Sequence, residues 1–476
     1  MSRVVVIGAG VGGLAAAVRL AGAGHEVVVH ERAAVAGGKL GGYERDGFRF
    51  DTGPSLLTLP QVFADLDLDL RPLDPVVRHV FPDGTVLDSS ASPDIFRARI
   101  AAALGAEAAA DWARLWRRAG RIWDASWRSV LRRPVTPGSL AALSWRVGDL
   151  AAIAPGRTLR GLGRHYLHDP RLRMLLERYA TYAGADPRRA PAALAAVPYA
   201  ELNFGGWYLP GGLGTLGSAL LSRAKSRGVD VRLSSAVSRI DVAGGRVTGV
   251  RLASGGAEPA DVVVADVDAL TVYRDLLPTP SRLAGLADRS LAGFVLLLGV
   301  RGTTPSLAHH TVFFPSDYDA EFDAVFGSSG RRARPASDPT VFVTRAVDPA
   351  VSPAGDEAWF VLVNAPRHGN AWSAVDWRRP GLADAYRDHI LGVLAGRGLD
   401  VRERLVFAET RTPADLAAAT ATPGGAIYGT AGSLVRPANR GPVDGLFLVG
   451  GSVHPGGGLP MVTLSAQIVA DEIGPA

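Results

Sequence analysis

The residues best suited to chemistry come first in the chain. Val4-Val5-Val6-Ile7 is an apolar β-type run that meets glycines at Gly8, Gly10 and Gly13, spaced Gly-x-Gly-x-x-Gly. An Ala/Leu-rich helical segment follows, then a second β-type run from Glu26 to His30 with Glu31 directly behind it. This is the dinucleotide-binding fingerprint in its full strand–turn–helix–strand context. Gly8 allows the tight turn, Gly10 lets bare backbone approach a pyrophosphate, and Gly13 lets the helix pack close to the strand, with its first N–H groups facing the phosphates. Glu31 is placed to accept from a ribose 2′-OH, and its charge would repel a 2′-phosphate. The expected ligand is therefore FAD or NAD, not NADP.

Further elements must hold such a ligand. Behind Glu31-Arg32 comes Gly37-Gly38-Lys39-Leu40-Gly41-Gly42, then a hairpin-like turn at Asp46-Gly47 leading to a buried loop with Gly53-Pro54-Ser55. Paired glycines bring bare backbone close to something bulky, and a flavin, longer and deeper than a nucleotide alone, would use them. At the far end, Gly445 to Leu448 reads as a strand running into Gly450-Gly451. His454-Pro455-Gly456-Gly457-Gly458-Leu459-Pro460-Met461-Val462 then leads into a last helix. That helix N-terminus would face the pyrophosphate and flavin a second time, which makes the first domain discontinuous. A helix ending at Arg227 and β segments from Val229 to Asp266 are expected to supply a small sheet over the adenine, with Val237 contacting it through its backbone. Residues 286–410 read as an α+β region.

With 476 residues, 47% hydrophobic and 20% charged, the chain can bury a large core and divide into two or three domains. It holds no cysteine, which excludes disulfides, a cysteinyl flavin linkage and thiolate metal sites; a reducing cytoplasm fits. The glycine turn inside the apolar N-terminus argues against a signal peptide, and the longest apolar run, Phe294 to Val300, is strand-sized. The net charge of +5 is concentrated: fourteen Arg stand against five acids between Asp111 and Arg178. There Trp112, Leu115, Trp116, Ala119, Ile122 and Trp123 recur at helical spacing, with Arg114, Arg118, Arg121 and Arg128 largely elsewhere on the wheel. Two arrangements satisfy this pattern: an interfacial helix with indoles at the headgroups and cations on anionic lipid, or a cap whose tryptophans are core and whose arginines are solvated. No nucleic-acid motif accompanies the charge, so no nucleic-acid partner is expected. Asp169, directly before Pro170, reads as an N-cap, and Arg173 as a surface base.

The two ends of the chain and its middle resemble the bacterial-type phytoene desaturases, the FAD-dependent carotenoid desaturase family. The residues carrying the likeness are Val6 to Leu14, Gly47 to Pro54, Trp207 to Gly212, Tyr273-Arg274-Asp275-Leu276-Leu277, Leu307 to Val312 and Leu448 to Val462. Lys39 stands where the family's second signature usually has Arg, keeping the charge but losing the bidentate fork. The Gly-Asp signature of amine and porphyrinogen oxidases is absent at Gly450-Gly451-Ser452. The loop from His454 to Met461 is closer to members acting on later carotenoids, C30 analogues or terminal methyls.

The resemblance implies a discontinuous Rossmann-like FAD-binding domain (residues 1–68, 210–283 and 427–476), an α+β substrate domain (69–100 and 284–426) and a helical cap (101–209) facing the membrane. It adds Gly12, Leu14, Arg32, Lys39, Leu40, Gly451 and the run Gly458-Leu459-Pro460-Met461-Val462 to the cofactor site. It places Asp169 and Arg173 near the flavin, with His454 and Met461 beside its ring. It further implies a long apolar polyene substrate, hydride transfer from an allylic C–H to flavin N5, quinone or oxygen as electron acceptor, and peripheral attachment to the cytoplasmic membrane.

Overall fold

The computed structural model describes residues 1–66, 68–430 and 436–476, without the side chains of Asp65 and Leu140. Residues 67 and 431–435, inside the stretches 1–68 and 427–476 assigned above to the cofactor domain, lie outside the described residues. A five-stranded parallel sheet anchors the molecule, in the order Leu446–Leu448, Val262–Ala265, Arg3–Ile7, Glu26–His30, Asp230–Arg232. The N-terminal strand explains why a valine run is needed: Val4 and Val6 face one layer, Val5 and Ile7 the other, and both faces are buried. Helices Val11–Gly22, Gly214–Ser226 and Leu459–Ile473 cover the first face through Leu14, Leu216, Leu220 and Val469. The second face is covered by Ile240, Val250 and Tyr273.

The β segments after the middle helix divide differently from the expectation. Asp230–Arg232 and Val262–Ala265 join the parallel sheet, leaving Val237–Ala243, Arg246–Leu252 and Ala257–Pro259 as the small antiparallel sheet. The physical reason is burial: Val262–Ala265 is buried at every position, as a central parallel strand must be. The turn at Asp46-Gly47 joins strands Gly42–Arg45 and Phe48–Asp51, and both turn residues have positive φ (51° and 81°), the conformation for which Asp-Gly is suited.

A second sheet of seven strands runs Leu405–Arg411, Ala292–Val300, Glu357–Ala365, Val341–Arg345, His310–Phe313, Arg78–Val80, Val86–Asp88. It draws the strands of residues 69–100 together with those of 284–426. Helices between Pro93 and Phe204 lie against it, sharing a core in which Trp112, Trp123, Leu172 and Tyr179 meet Val312, Phe314 and Phe322.

The tryptophans of helix Ala106–Ser126 turn inward, contrary to the interfacial arrangement. Trp112 is 3% and Trp123 7% exposed, and Trp116 packs on Tyr199 with ring centroids 4.7 Å apart. At about 25 cal/mol per Å² and ~150–250 Å² per ring, each buried indole contributes roughly 4–6 kcal/mol, enough to commit these rings to the core. Among the large apolar side chains left outside in the helical layer are Trp145 and Val147, 88% and 71% exposed. No helix among the described residues is long and apolar enough to cross a membrane.

Candidate active site

The fingerprint turn is built where the strand Arg3–Ile7 ends. Gly8 has φ +102° and donates its N–H to the His30 carbonyl at 2.8 Å. A Cβ on Gly13 would strike the Gly8 carbonyl oxygen, so helix and turn are in backbone contact. A Cβ on Gly12 would lie 3.2 Å from Gly450 Cα, so the first and last strand–turn–helix units meet here. Neither helix Val11–Gly22 nor helix Leu459–Ile473 has a side-chain cap at its N-terminus (Gly10 and Gly458), leaving first-turn N–H groups for an anion. Gly8, Gly10, Gly12, Gly13 and Gly450 form a cradle with no Cβ atoms of its own, against which the Asp266 carboxyl lies, and with the helix N-termini beside it the cradle fits a pyrophosphate. Glu31 is fixed beside this turn, accepting from Ala9 N at 2.8 Å and Ala33 N at 2.7 Å. The Glu31 carbonyl also accepts from Ser235 N at 2.7 Å, which brings the strand starting at Val237 to the same end of the site.

The second glycine loop lies against the first. Gly37 N donates to Ala9 O at 2.9 Å, and a Cβ on Gly38 would sit 3.1 Å from Gly10 Cα. Leu40 closes this loop by donating to Gly37 O at 3.0 Å, and like Leu14 its side chain is buried in the core. Lys39 reaches the opposite wall, donating from Nζ to Ile427 O at 2.7 Å and Ala426 O at 3.3 Å. Burial pushes its ammonium down to about 8, Asp268 opposing this and Arg289 adding to it. Point donation to two carbonyls suits Lys, where an Arg fork would seek a carboxylate or phosphate. Gly53 packs on the Lys39 carbonyl, and Ser55 extends to the second sheet through a 2.8 Å hydrogen bond with Thr344. Arg32 is exposed and donates to Ala418 O at 2.5 Å, outside this cradle.

Asp266 was not foreseen. It follows the strand Val262–Ala265, and its carboxylate lies against Gly10, Gly12 and Gly450. Burial pushes its carboxyl up to about 7; the Gly13 N–H acts the other way, Glu31 raises it and Lys39 lowers it. The unfolded value is about 3.9, so the native state holds a proton that the unfolded chain loses. This contribution to stability is full below about pH 4 and disappears as pH rises through about 7. FAD phosphates bound beside this carboxyl should likewise bind more tightly at about pH 6 than at about pH 8. Asp266→Asn should flatten both profiles, measured by thermal unfolding of apoprotein and by FAD titration; a slope unchanged in the variant would remove Asp266 as its source.

The C-terminal loop is positioned by Asn439, which is 1% exposed and whose Nδ2, with two N–H groups to give, lies 3.1, 2.9 and 3.0 Å from Leu448 O, His454 O and Ser465 Oγ. His454 is 2% exposed, and Nε2 donates to the Val130 carbonyl at 3.1 Å, tying this loop to the helical layer. Burial pushes its ring down to about 4, against hydrogen bonds to Arg133 and Val130, so it is neutral at physiological pH. Met461 packs on the core of the helical layer while Leu459 and Val462 pack on that of the nucleotide sheet.

Asp169 caps helix Pro170–Arg178, accepting from Arg171 N at 2.8 Å and pairing with Arg171 Nη2 at 2.7 Å. Arg173 donates to the carbonyls of Leu167 and His168 at 2.7 and 2.9 Å. The structure thus gives both residues local hydrogen-bonding roles.

The comparisons agree with this geometry. The chain belongs to the flavin containing amine oxidoreductase family, whose model matches residues 11–291, and to the carotenoid desaturase branch that its curated relatives represent. It is 34% identical over 499 aligned positions, 99% of this chain and 98% of the relative, to a 4,4'-diapolycopene oxygenase of Methylomonas sp. To a hydroxyneurosporene desaturase of Cereibacter sphaeroides it is 34% identical, with 99% of this chain and 97% of the relative covered. An oxidoreductase from Methanosarcina mazei has the same fold, with a TM-score of 0.63 at 16% identity over 98% of this chain and 100% of that one. The protein is an FAD-dependent oxidoreductase.

Proposed function

We propose that the protein dehydrogenates a carotenoid, phytoene or a later or C30 carotene, by removing two hydrogens from adjacent carbons. The observation that carries this is the two-ended glycine cradle, whose C-terminal loop packs on the helical layer through His454 and Met461, in a chain similar over its whole length to carotenoid desaturases. FAD held there supplies a hydride acceptor at N5. The protein orients the polyene against it and excludes water, using apolar surface because a hydrocarbon offers no polar handle. The second hydrogen leaves as a proton, and Asp169 is its candidate acceptor, with Arg173 as neighbouring charge. If so, Asp169→Asn lowers turnover with FAD retained; unchanged turnover assigns Asp169 to capping alone. Electrons then pass to a membrane quinone or to oxygen.

Purified holoprotein mixed anaerobically with phytoene, neurosporene or a C30 analogue in liposomes should lose its flavin colour with at least one of them. Bleaching by an amine and by no polyene would support an amine oxidase instead.

Such a substrate is delivered from lipid. The exposed Trp145 and Val147, with exposed Arg146 between them in the chain and exposed Arg132 and Arg133 earlier in the same helical layer, have the composition of an interfacial anchor. The protein should float with anionic vesicles, and Trp145→Ala with Val147→Asp should leave it in the soluble fraction; flotation unchanged in that variant would move the contact elsewhere.

A further inference from the structure

Against the C-terminal loop, positive charge is buried in excess. Arg289 is 5% exposed and Arg436 9%. Asp268 accepts from Arg289 Nη2 at 2.6 Å, but Nε and Nη1 of the same guanidinium, both buried, have no hydrogen-bond partner. Arg436 donates from Nη1 to the Tyr428 carbonyl at 2.5 Å, and among the described residues no carboxylate pairs with it. Burial pushes its guanidinium down to about 10; Tyr428 and Asp268 oppose this and Arg289 adds to it. Lys39 is the third cation, acted on by Asp268, Arg289 and Asp266. Three cations thus converge on one carboxylate, Asp268, because Asp266 is held up at about 7 and is only partly charged near neutral pH.

This charge touches both glycine loops. Gly456, at φ +137°, leaves Arg436 Nε 3.6 Å from where a Cβ would stand, and helix Leu459–Ile473, with no side-chain cap, begins three residues further on. Ala269, directly after Asp268, donates its N–H to Ser452 Oγ at 3.0 Å, and Lys39 belongs to the second glycine loop. Cations taken out of water without matching carboxylates are costly to keep unless an anion meets them. With the pyrophosphate in the fingerprint turn and the adenosine end toward Glu31, the flavin end of the cofactor is left for the Gly456 loop.

We propose that Arg436 and Arg289, with the open N-terminus of helix Leu459–Ile473, stabilise the negative charge that bound FAD gains on reduction and so raise its midpoint potential. A hydride brings two electrons and one proton into the site, and the substrate's second hydrogen leaves as a proton to the base. One negative charge therefore stays beside the cluster until the electrons pass to quinone or oxygen. Arg436 carries the larger share, because Asp268 already neutralises Arg289. The assignment rests on the hydride transfer to FAD proposed above.

Anaerobic dye equilibration of the holoprotein reads the potential without any polyene. The wild-type value should lie above that of free FAD in the same buffer. Arg436→Met, with FAD content as the check on folding, should lower it by at least about 30 mV, a tenfold loss of affinity for reduced relative to oxidised FAD. Arg436→Lys keeps the charge and should stay within about 10 mV of wild type. An unchanged potential in FAD-loaded Arg436→Met, or a wild-type value at or below that of free FAD, would overturn the assignment; polyene bleaching decides the desaturase proposal separately. Failure of either variant to hold FAD would assign the cluster to the cofactor's phosphates and overturn it as well.

Discussion

Gly13→Ala is expected to yield protein without bound flavin. The added Cβ meets the Gly8 carbonyl oxygen at less than van der Waals separation and Asp266 Cβ at 3.0 Å. The first obstacle is backbone, and Gly8 is itself held at φ +102° by the turn and by its hydrogen bond to His30. Relief requires moving helix Val11–Gly22 off the sheet, which opens the cradle and withdraws the helix N–H groups from the phosphates. Overpacking of this kind costs roughly 1–3 kcal/mol or more, and here it falls on the cofactor site. Gly12→Ala is the informative contrast, because its nearest neighbour is the Asp266 Oδ1 atom at 2.7 Å, a side chain that can rotate. That variant should retain flavin with weakened affinity. The visible flavin band of each purified variant measures this directly, and stoichiometric FAD in Gly13→Ala would mean that the helix is not anchored through this contact.

The largest loss of stability is expected from Arg289→Met. Arg289 and Asp268 form an ion pair at 2.6 Å with side chains only 5% and 2% exposed, and Asp268 also accepts from Leu270 N at 3.0 Å. Removing one partner strands a carboxylate in the interior, which costs about 3–5 kcal/mol. Thermal unfolding of the holoprotein should shift down by roughly 3–5 °C. Adding Asp268→Asn removes the stranded charge, so the double variant should recover much of the loss. A single variant within about 1 °C of wild type would show that water or a rearranged cation satisfies Asp268.

What could be learned from sequence follows the range of each interaction. The fingerprint turn is local, so glycine spacing, the following helix and Glu31 were legible from adjacent residues. The Asp169 cap was legible for the same reason, as Asp before Pro at a helix start. Asp266 and Asn439 escaped because their significance comes from strands and loops brought alongside the first turn by chain far removed in sequence. Helical periodicity identified which face of Ala106–Ser126 is apolar, but not whether that face meets lipid or protein; Phe96, Tyr199 and Phe204 settle this in three dimensions. The β segments 230–232 and 262–265 carried too little alternation to reveal that they belong to the parallel sheet.

The central claim is that FAD in the glycine cradle takes hydride from a carotenoid, and an anaerobic single turnover tests it most directly. Holoprotein mixed with a liposomal polyene should lose its oxidised-flavin absorbance with the same time course as the polyene spectrum shifts to longer wavelength, one flavin reduced for each double bond formed. Polyene lengthening without flavin reduction, or flavin reduction without a new double bond, would contradict the account.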